Sequence, residues 1–94
     1  MKKNKYANSI TVDAQIDLHG MTDYEAEDAT LDFIQKSLQS KYSTIKIITG
    51  KGLQSRNQPV IKNIVREILI QKNLSFQPAN VNNGGTGAFI VKTS

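Results

Sequence analysis

The chain has no cysteine and no tryptophan, only two prolines, and a single histidine among its 94 residues. Without cysteine there is no disulfide framework and no thiolate metal site. No apolar run approaches the roughly 18 residues that a membrane-spanning helix needs, so no membrane partner is expected. Aromatic residues are few (6%), and Tyr6, Tyr24, Phe33, Tyr42, Phe76 and Phe89 are scattered. Phe33 and Phe89 are most simply core, and the sequence offers no stacking platform of the kind single-strand binders use. The start, Met1-Lys2-Lys3-Asn4-Lys5, is basic, but no apolar segment follows it. It is therefore not a secretory signal, and a cytosolic setting is expected.

The length fits one small domain with a modest core and no deep enclosed pocket. Charge is unevenly spread along it. Residues 1–32 carry seven acids (Asp13, Asp17, Asp23, Glu25, Glu27, Asp28 and Asp32) against three lysines, whereas residues 33–94 carry nine Lys or Arg against the single acid Glu67. That split suggests a basic surface facing a polyanion.

Residues 1–13 read as a flexible basic arm, in which Ile10-Thr11-Val12 could lie as a short edge strand, and residues 14–94 as the folded domain. Gln15-Ile16-Asp17-Leu18 alternates as a short strand, ended by Gly20. Thr22 and Glu25 have capping-box spacing, and Ala26, Ala29, Thr30, Phe33 and Ile34 recur at helical spacing, so a helix is expected over 23–39. Thr44 to Thr49 is a β-branched run that suits an interior strand. Pro59 suits a helix's first turn, and Val60, Ile61, Ile64, Val65, Ile68 and Leu69 give that helix a wide apolar face as far as about Lys72. Residues 75–79 form a shorter strand whose Pro78 argues that its end is unpaired or at an edge. Asn82-Asn83-Gly84-Gly85 signals a turn before a last strand at 88–91. The order β-α-β-α-β-β predicts an α/β two-layer sandwich: a mixed four-stranded sheet, its last strand antiparallel, with both helices on one face.

In that topology the first three strands run parallel, and their carboxyl ends share one edge, where open α/β sheets bind ligands. Three features fall there: Asp17-x-His19, Gly50-Lys51-Gly52, and Gly84-Gly85-Thr86-Gly87. On a strand, Asp17 and His19 would share a face. An ordinary imidazole titrates near neutrality, so a histidine there can act as acid or base. The neighbouring carboxylate could orient the ring or hold a metal ion. Glycines let the backbone close on a phosphate, and Lys51 adds a compact positive charge. Taken singly, each feature has a plainer explanation: His-Gly as a turn into a helix, Asn-Asn-Gly-Gly as a hairpin, Arg56 and Lys62 as solvated charges. Gly-Lys-Gly also lacks the longer phosphate-loop pattern. Their common placement favours a phosphodiester site.

Asp17-Leu18-His19-Gly20-Met21-Thr22, Glu25-Ala26, Ile47-Ile48-Thr49-Gly50-Lys51-Gly52 and Gly84-Gly85-Thr86-Gly87-Ala88 together resemble the Smr (small MutS-related) domain, over about residues 14–93. The resemblance implies the β-α-β-α-β-β sandwich of the C-terminal domain of bacterial translation initiation factor three. It also implies a nuclease, since Smr domains nick or cut DNA in some members and cleave RNA in others, notably messenger RNA at stalled or collided ribosomes. It assigns catalysis to Asp17 and His19, and binding or catalysis to Gly50, Lys51 and Gly52. Thr49 and Gln54 stand where members often carry histidine, which leaves His19 as the only imidazole. The family often sits at the C-terminus of longer proteins.

The function expected is therefore that of a small endonuclease on RNA or DNA. Asp17, His19 and Lys51 would do the chemistry, and Gly50, Gly52, Arg56, Lys62, Gly84, Gly85 and Thr86 would contact nucleic acid. No protein metal site is expected, although a magnesium ion held mostly through water is compatible with Asp17. The alternative is a nucleic-acid- or ribosome-binding module without turnover.

Overall fold

A computed structural model describes residues 11–50, 58–79 and 87–94. The order is β1 (Ala14–Asp17), α1 (Asp23–Gln39), β2 (Thr44–Ile48), α2 (Gln58–Gln71), β3 (Ser75–Pro78) and β4 (Ala88–Lys92). The four strands form one sheet in the order β1-β2-β4-β3. β1 pairs parallel to β2, while β4 runs antiparallel to both β2 and β3. The mixed sheet with an antiparallel last strand is thus as expected, and Pro78 does lie in an edge strand. β4 is inserted between β2 and β3, so β1, β2 and β3 still point the same way.

The helices form because local signals agree with burial. Thr22 accepts a hydrogen bond from the Glu25 N–H (3.2 Å), and the Thr22 N–H donates to Glu25 Oε1 (3.0 Å), which closes the capping box. Asp23 and Glu25 stand in the first turn, where the positive end of the helix dipole favours them. Both helices end in the same way. The Tyr42 N–H returns to the Ser37 carbonyl and the Leu74 N–H to the Leu69 carbonyl, with Lys41 (φ 61°) and Asn73 (φ 58°) in the left-handed region just before them.

One face of the sheet carries both helices. Ala26 and Ile34 of α1 and Ile61, Val65 and Leu69 of α2 pack in one cluster with Ile45, Ile47, Phe89 and Val91. Phe76 and Phe89 meet edge to face at 5.6 Å. The buried Thr30 is tolerated because its hydroxyl donates to the Ala26 carbonyl (2.7 Å). Ala79, Ala88 and Ile90 form a second cluster with Ile48 and Val12. By strand alternation Ile48, Ala88 and Ile90 lie on the opposite face from Ile47, Phe89 and Val91.

Just before β1, the Asp13 N–H donates to the Thr44 carbonyl (2.8 Å). The Asp13 carboxylate accepts from the Ser43 N–H (2.8 Å) and hydroxyl (3.2 Å) and from the Thr44 N–H (3.2 Å). The rest of the expected arm, residues 1–10, lies outside the described residues. After β1 the chain turns sharply. The Met21 N–H donates to the Leu18 carbonyl (3.0 Å), and Gly20 adopts φ +86°. That hydrogen bond with a positive φ at the third position marks a turn that favours glycine there.

Two outcomes follow. The Ser43 N–H, then the Thr44 N–H, hold the Asp13 carboxyl below its usual value of 3.8. Its ionised form is therefore stabilised by folding, and this contribution is present above the unfolded-state value and lost as pH falls through the folded one. In urea denaturation, Asp13→Ala is expected to be less stable than the parent at neutral pH, with the gap closing once the pH is well below 3.8; a gap independent of pH contradicts this. At Gly20, an added Cβ would meet nothing within 4 Å, so only the backbone resists substitution. Gly20→Ala is expected to cost about 1 kcal/mol by the same measurement, and Gly20→Asn less.

Candidate active site at the carboxyl edge of the sheet

The pairing of β1 with β2 sets this edge. Asp17 is the register partner of Ile48, and the Leu18 N–H adds one more ladder bond to the Ile48 carbonyl (2.7 Å). His19 thus stands two residues beyond Asp17, and Gly50 two residues beyond its partner. Leu18 is fully buried between two exposed residues. Burying a leucine side chain is worth roughly 1.5–3 kcal/mol, whereas an exposed ion pair is worth at most about 1 kcal/mol. Leu18, not the charges beside it, therefore pins this turn.

The Asp17 and His19 side chains are 57% and 72% exposed. The His19 N–H donates to Asp17 Oδ1 (3.0 Å), a short local loop of the kind aspartate often makes with the backbone two residues on. Imidazole Nδ1 stands 3.7 Å from the same oxygen, too far for a hydrogen bond. The carboxylate fixes the backbone on which the ring is mounted, with the ring as a close electrostatic neighbour open to solvent.

At the end of β2 two residues face one across the ladder. The Thr49 N–H (2.7 Å) and the Gly50 N–H (3.0 Å) both donate to the Gly87 carbonyl, as in a β-bulge. Gly50 has φ +90°, a conformation that favours glycine. Thr49 is fully buried, and its hydroxyl lies 3.3 Å from both the Gly87 and Gly50 carbonyls. Thr49 thus ties the start of the Gly-Lys-Gly segment to the end of the Gly84–Gly87 segment. Its role as a tie was not read from the sequence. The available signal was a polar β-branched residue directly after the apolar pair Ile47-Ile48 and before a glycine. The Ala79 N–H bonds the Ala88 carbonyl (2.9 Å) at the same edge.

The described part of the edge therefore brings together Asp17, His19, Gly50 and the carbonyl of Gly87. Lys62 lies in the second turn of α2, half-buried. Lys51, Gly52, Arg56, Gly84, Gly85 and Thr86 lie outside the described residues. Among the described residues no group of three or more His, Cys, Asp or Glu gathers to hold a metal ion, and no helix is long and apolar enough to cross a membrane.

The Smr domain family model matches residues 16–94. The fold is similar to the crystal structure of the Smr domain of Thermus thermophilus MutS2, with 27% identity, a TM-score of 0.74, and coverage of 84% of this chain and 95% of that one. It is also similar to YdaL, a stand-alone small MutS-related protein from Escherichia coli, with 25% identity and a TM-score of 0.64; here 83% of this chain aligns with 62% of that chain. No curated protein matches the chain by sequence. The motifs, the strand order and the edge they build agree: the chain belongs to the Smr domain family, whose members are nucleic-acid-binding modules associated with nuclease activity.

Proposed function

We propose that the protein is an Smr-type endonuclease that cuts RNA or DNA phosphodiester bonds at the carboxyl edge of its sheet. The observation that carries this reading is the exposed imidazole of His19, 3.7 Å from the Asp17 carboxylate. The β1–β2 register sets it at the same edge as Gly50. Lys51 follows Gly50 directly in the sequence and is assigned the scissile phosphate together with the Gly52 N–H, since the Gly50 N–H is already donated to the Gly87 carbonyl.

On RNA, the imidazole takes the proton of the attacking 2′-hydroxyl. The O2′–P bond forms and the P–O5′ bond breaks, O5′ taking a proton from solvent, which leaves a 2′,3′-cyclic phosphate and a 5′-hydroxyl. On DNA, a water that gives its proton to the imidazole forms the new O–P bond and one P–O ester bond breaks, its oxygen protonated by solvent, which leaves a phosphate end and a hydroxyl end. Lys51 and the Gly52 N–H stabilise charge growing on the phosphoryl oxygens. Arg56, Lys62 and the lysines of residues 1–5 are assigned flanking phosphates. A magnesium ion held through water beside Asp17 would add charge neutralisation.

A second reading has its own observation. Asp17 is committed to the backbone N–H of His19 rather than to the ring, which also suits a loop that grips nucleic acid without turnover.

One assay separates the two. The protein and His19→Ala are incubated with labelled single-stranded RNA, duplex DNA and supercoiled plasmid, with and without chelator. Loss of a general acid or base typically costs 10²–10⁴-fold, so the variant is expected to cut at least ~100-fold more slowly while keeping salt-sensitive binding. Equal cutting by both proteins contradicts the assignment of His19. Salt-sensitive binding without cutting by either supports the binding module. Tight ribosome association with little affinity for free nucleic acid points to a docking role instead.

A further inference from the structure

The outer surface of the helix layer differs in character from the edge just described. Every large apolar side chain exposed among the described residues lies on a helix: Tyr24, Leu31 and Leu38 on α1, and Val60 and Ile70 on α2. Two shallow hollows organise most of this surface. One lies along α2, where Val60, Ile64 and Ile68 form an apolar floor between Glu67 and, from α1, Glu27. The other lies along α1 and is lined by Tyr24, Leu31, Glu25, Glu27 and Asp28. Glu27 borders both, so the two hollows adjoin across it, and the one between α1 and α2 is the richer in apolar side chains. Tyr24 is 81% exposed and Val60 44%, which is apolar surface left open to water rather than used in the core.

Among the described residues, every charged side chain lining the two hollows is acidic. Glu67 is the only acid after Asp32 in the sequence, and it lines the groove, while Lys62 and Arg66 of the same helix do not. The spacing explains this. Residues 60, 64, 67, 68 and 71 share one side of α2, whereas residues 62 and 66 lie on the other flank. Of the charges on α1, only Lys36 is basic, and it is paired with Asp32 at 3.2 Å. An acidic border repels phosphates, so this groove does not extend the nucleic-acid edge. It matches a ligand with apolar side chains flanked by cations.

We propose that the groove between α1 and α2 docks a basic amphipathic helix of a partner protein. Aliphatic residues at i, i+3 and i+4 would lie on Val60, Ile64 and Ile68, with flanking Lys or Arg set against Glu27 and Glu67. The domain would then bind nucleic acid on one side and a basic protein segment on another.

The probe is a fluorescently labelled Leu/Lys peptide of about 18 residues, five helical turns, with leucines at helical spacing. A control of the same composition has its leucines scrambled off that face. Anisotropy is expected to show saturable binding of the first peptide, and binding of the control at least ~10-fold weaker. Glu27→Gln combined with Glu67→Gln is expected to weaken the first peptide by about tenfold. Val60→Ser is expected to weaken it severalfold with the fold unchanged by circular dichroism. Equal binding of both peptides reduces the groove to a patch of charge and overturns the proposal. So does unchanged affinity in the double variant, or a self-associating parent whose dimer is broken by Val60→Ser, which would make a second copy the occupant.

Discussion

The fold's function depends on the parallel pairing of β1 with β2 and on the register of that pairing. With Asp17 set opposite Ile48 and the Leu18 N–H bonded to the Ile48 carbonyl at 2.7 Å, the two strands end together. A slip of one residue would turn Leu18 out of the core and bring Asp17 and His19 inward. The burial of Leu18 therefore specifies at once where the core lies and where the imidazole emerges. The exposed Asp17–His19 pair is too weakly coupled in water to fix that geometry. Asp17 acts on the backbone instead, by accepting the His19 N–H.

Much of this could be read from the residues. The Thr22–Glu25 box placed the start of α1, and the β-branched run at 44–49 identified an interior strand, because both are local signals with one dominant structural use. Strand ends were harder to read. Thr49 continues the apolar-rich run by composition, yet β2 ends at Ile48 because the Thr49 and Gly50 N–H groups both turn to one carbonyl, that of Gly87. No periodicity announces such a bulge. β1 likewise runs from Ala14 to Asp17 rather than from Gln15 to Leu18, since Leu18 already begins the turn closed by the Met21 N–H. One neighbour of β4 was legible, because the turn signal at residues 82–85 implies a hairpin with β3, and the two strands do pair. The unbroken run Ala88-Phe89-Ile90-Val91 implies burial on both faces, but not that β2 flanks it on the other side.

At the candidate site, the convergence of the Asp-x-His and glycine-bearing ends followed from topology alone, because strands that run parallel must end on the same side. The relation between the two side chains did not. Sequence spacing placed Asp17 and His19 on one strand face, whereas the backbone turns after Leu18 and the carboxylate takes the nearer N–H. Alternation along a strand stops predicting direction where the strand stops. The charge split shows the same limit. It suggests a basic surface facing a polyanion, but only the folded helices show that Glu67 sits with Glu27 of α1 beside exposed apolar side chains, while Lys62 and Arg66 lie on the other flank of α2.

The central claim is that one end of the sheet, defined by His19, Gly50 and Gly87, is where nucleic acid is held. Amide chemical-shift mapping tests it most directly, by titrating the protein with a 2′-O-methyl RNA that cannot be cut and, separately, with a DNA duplex. The account predicts that the largest salt-sensitive shifts fall on His19, Gly20, Gly50 and Gly87, with the side of α1 and α2 that carries Glu27, Val60 and Glu67 unmoved. Shifts concentrated on that side of the helices, or none at the four edge residues, would contradict it.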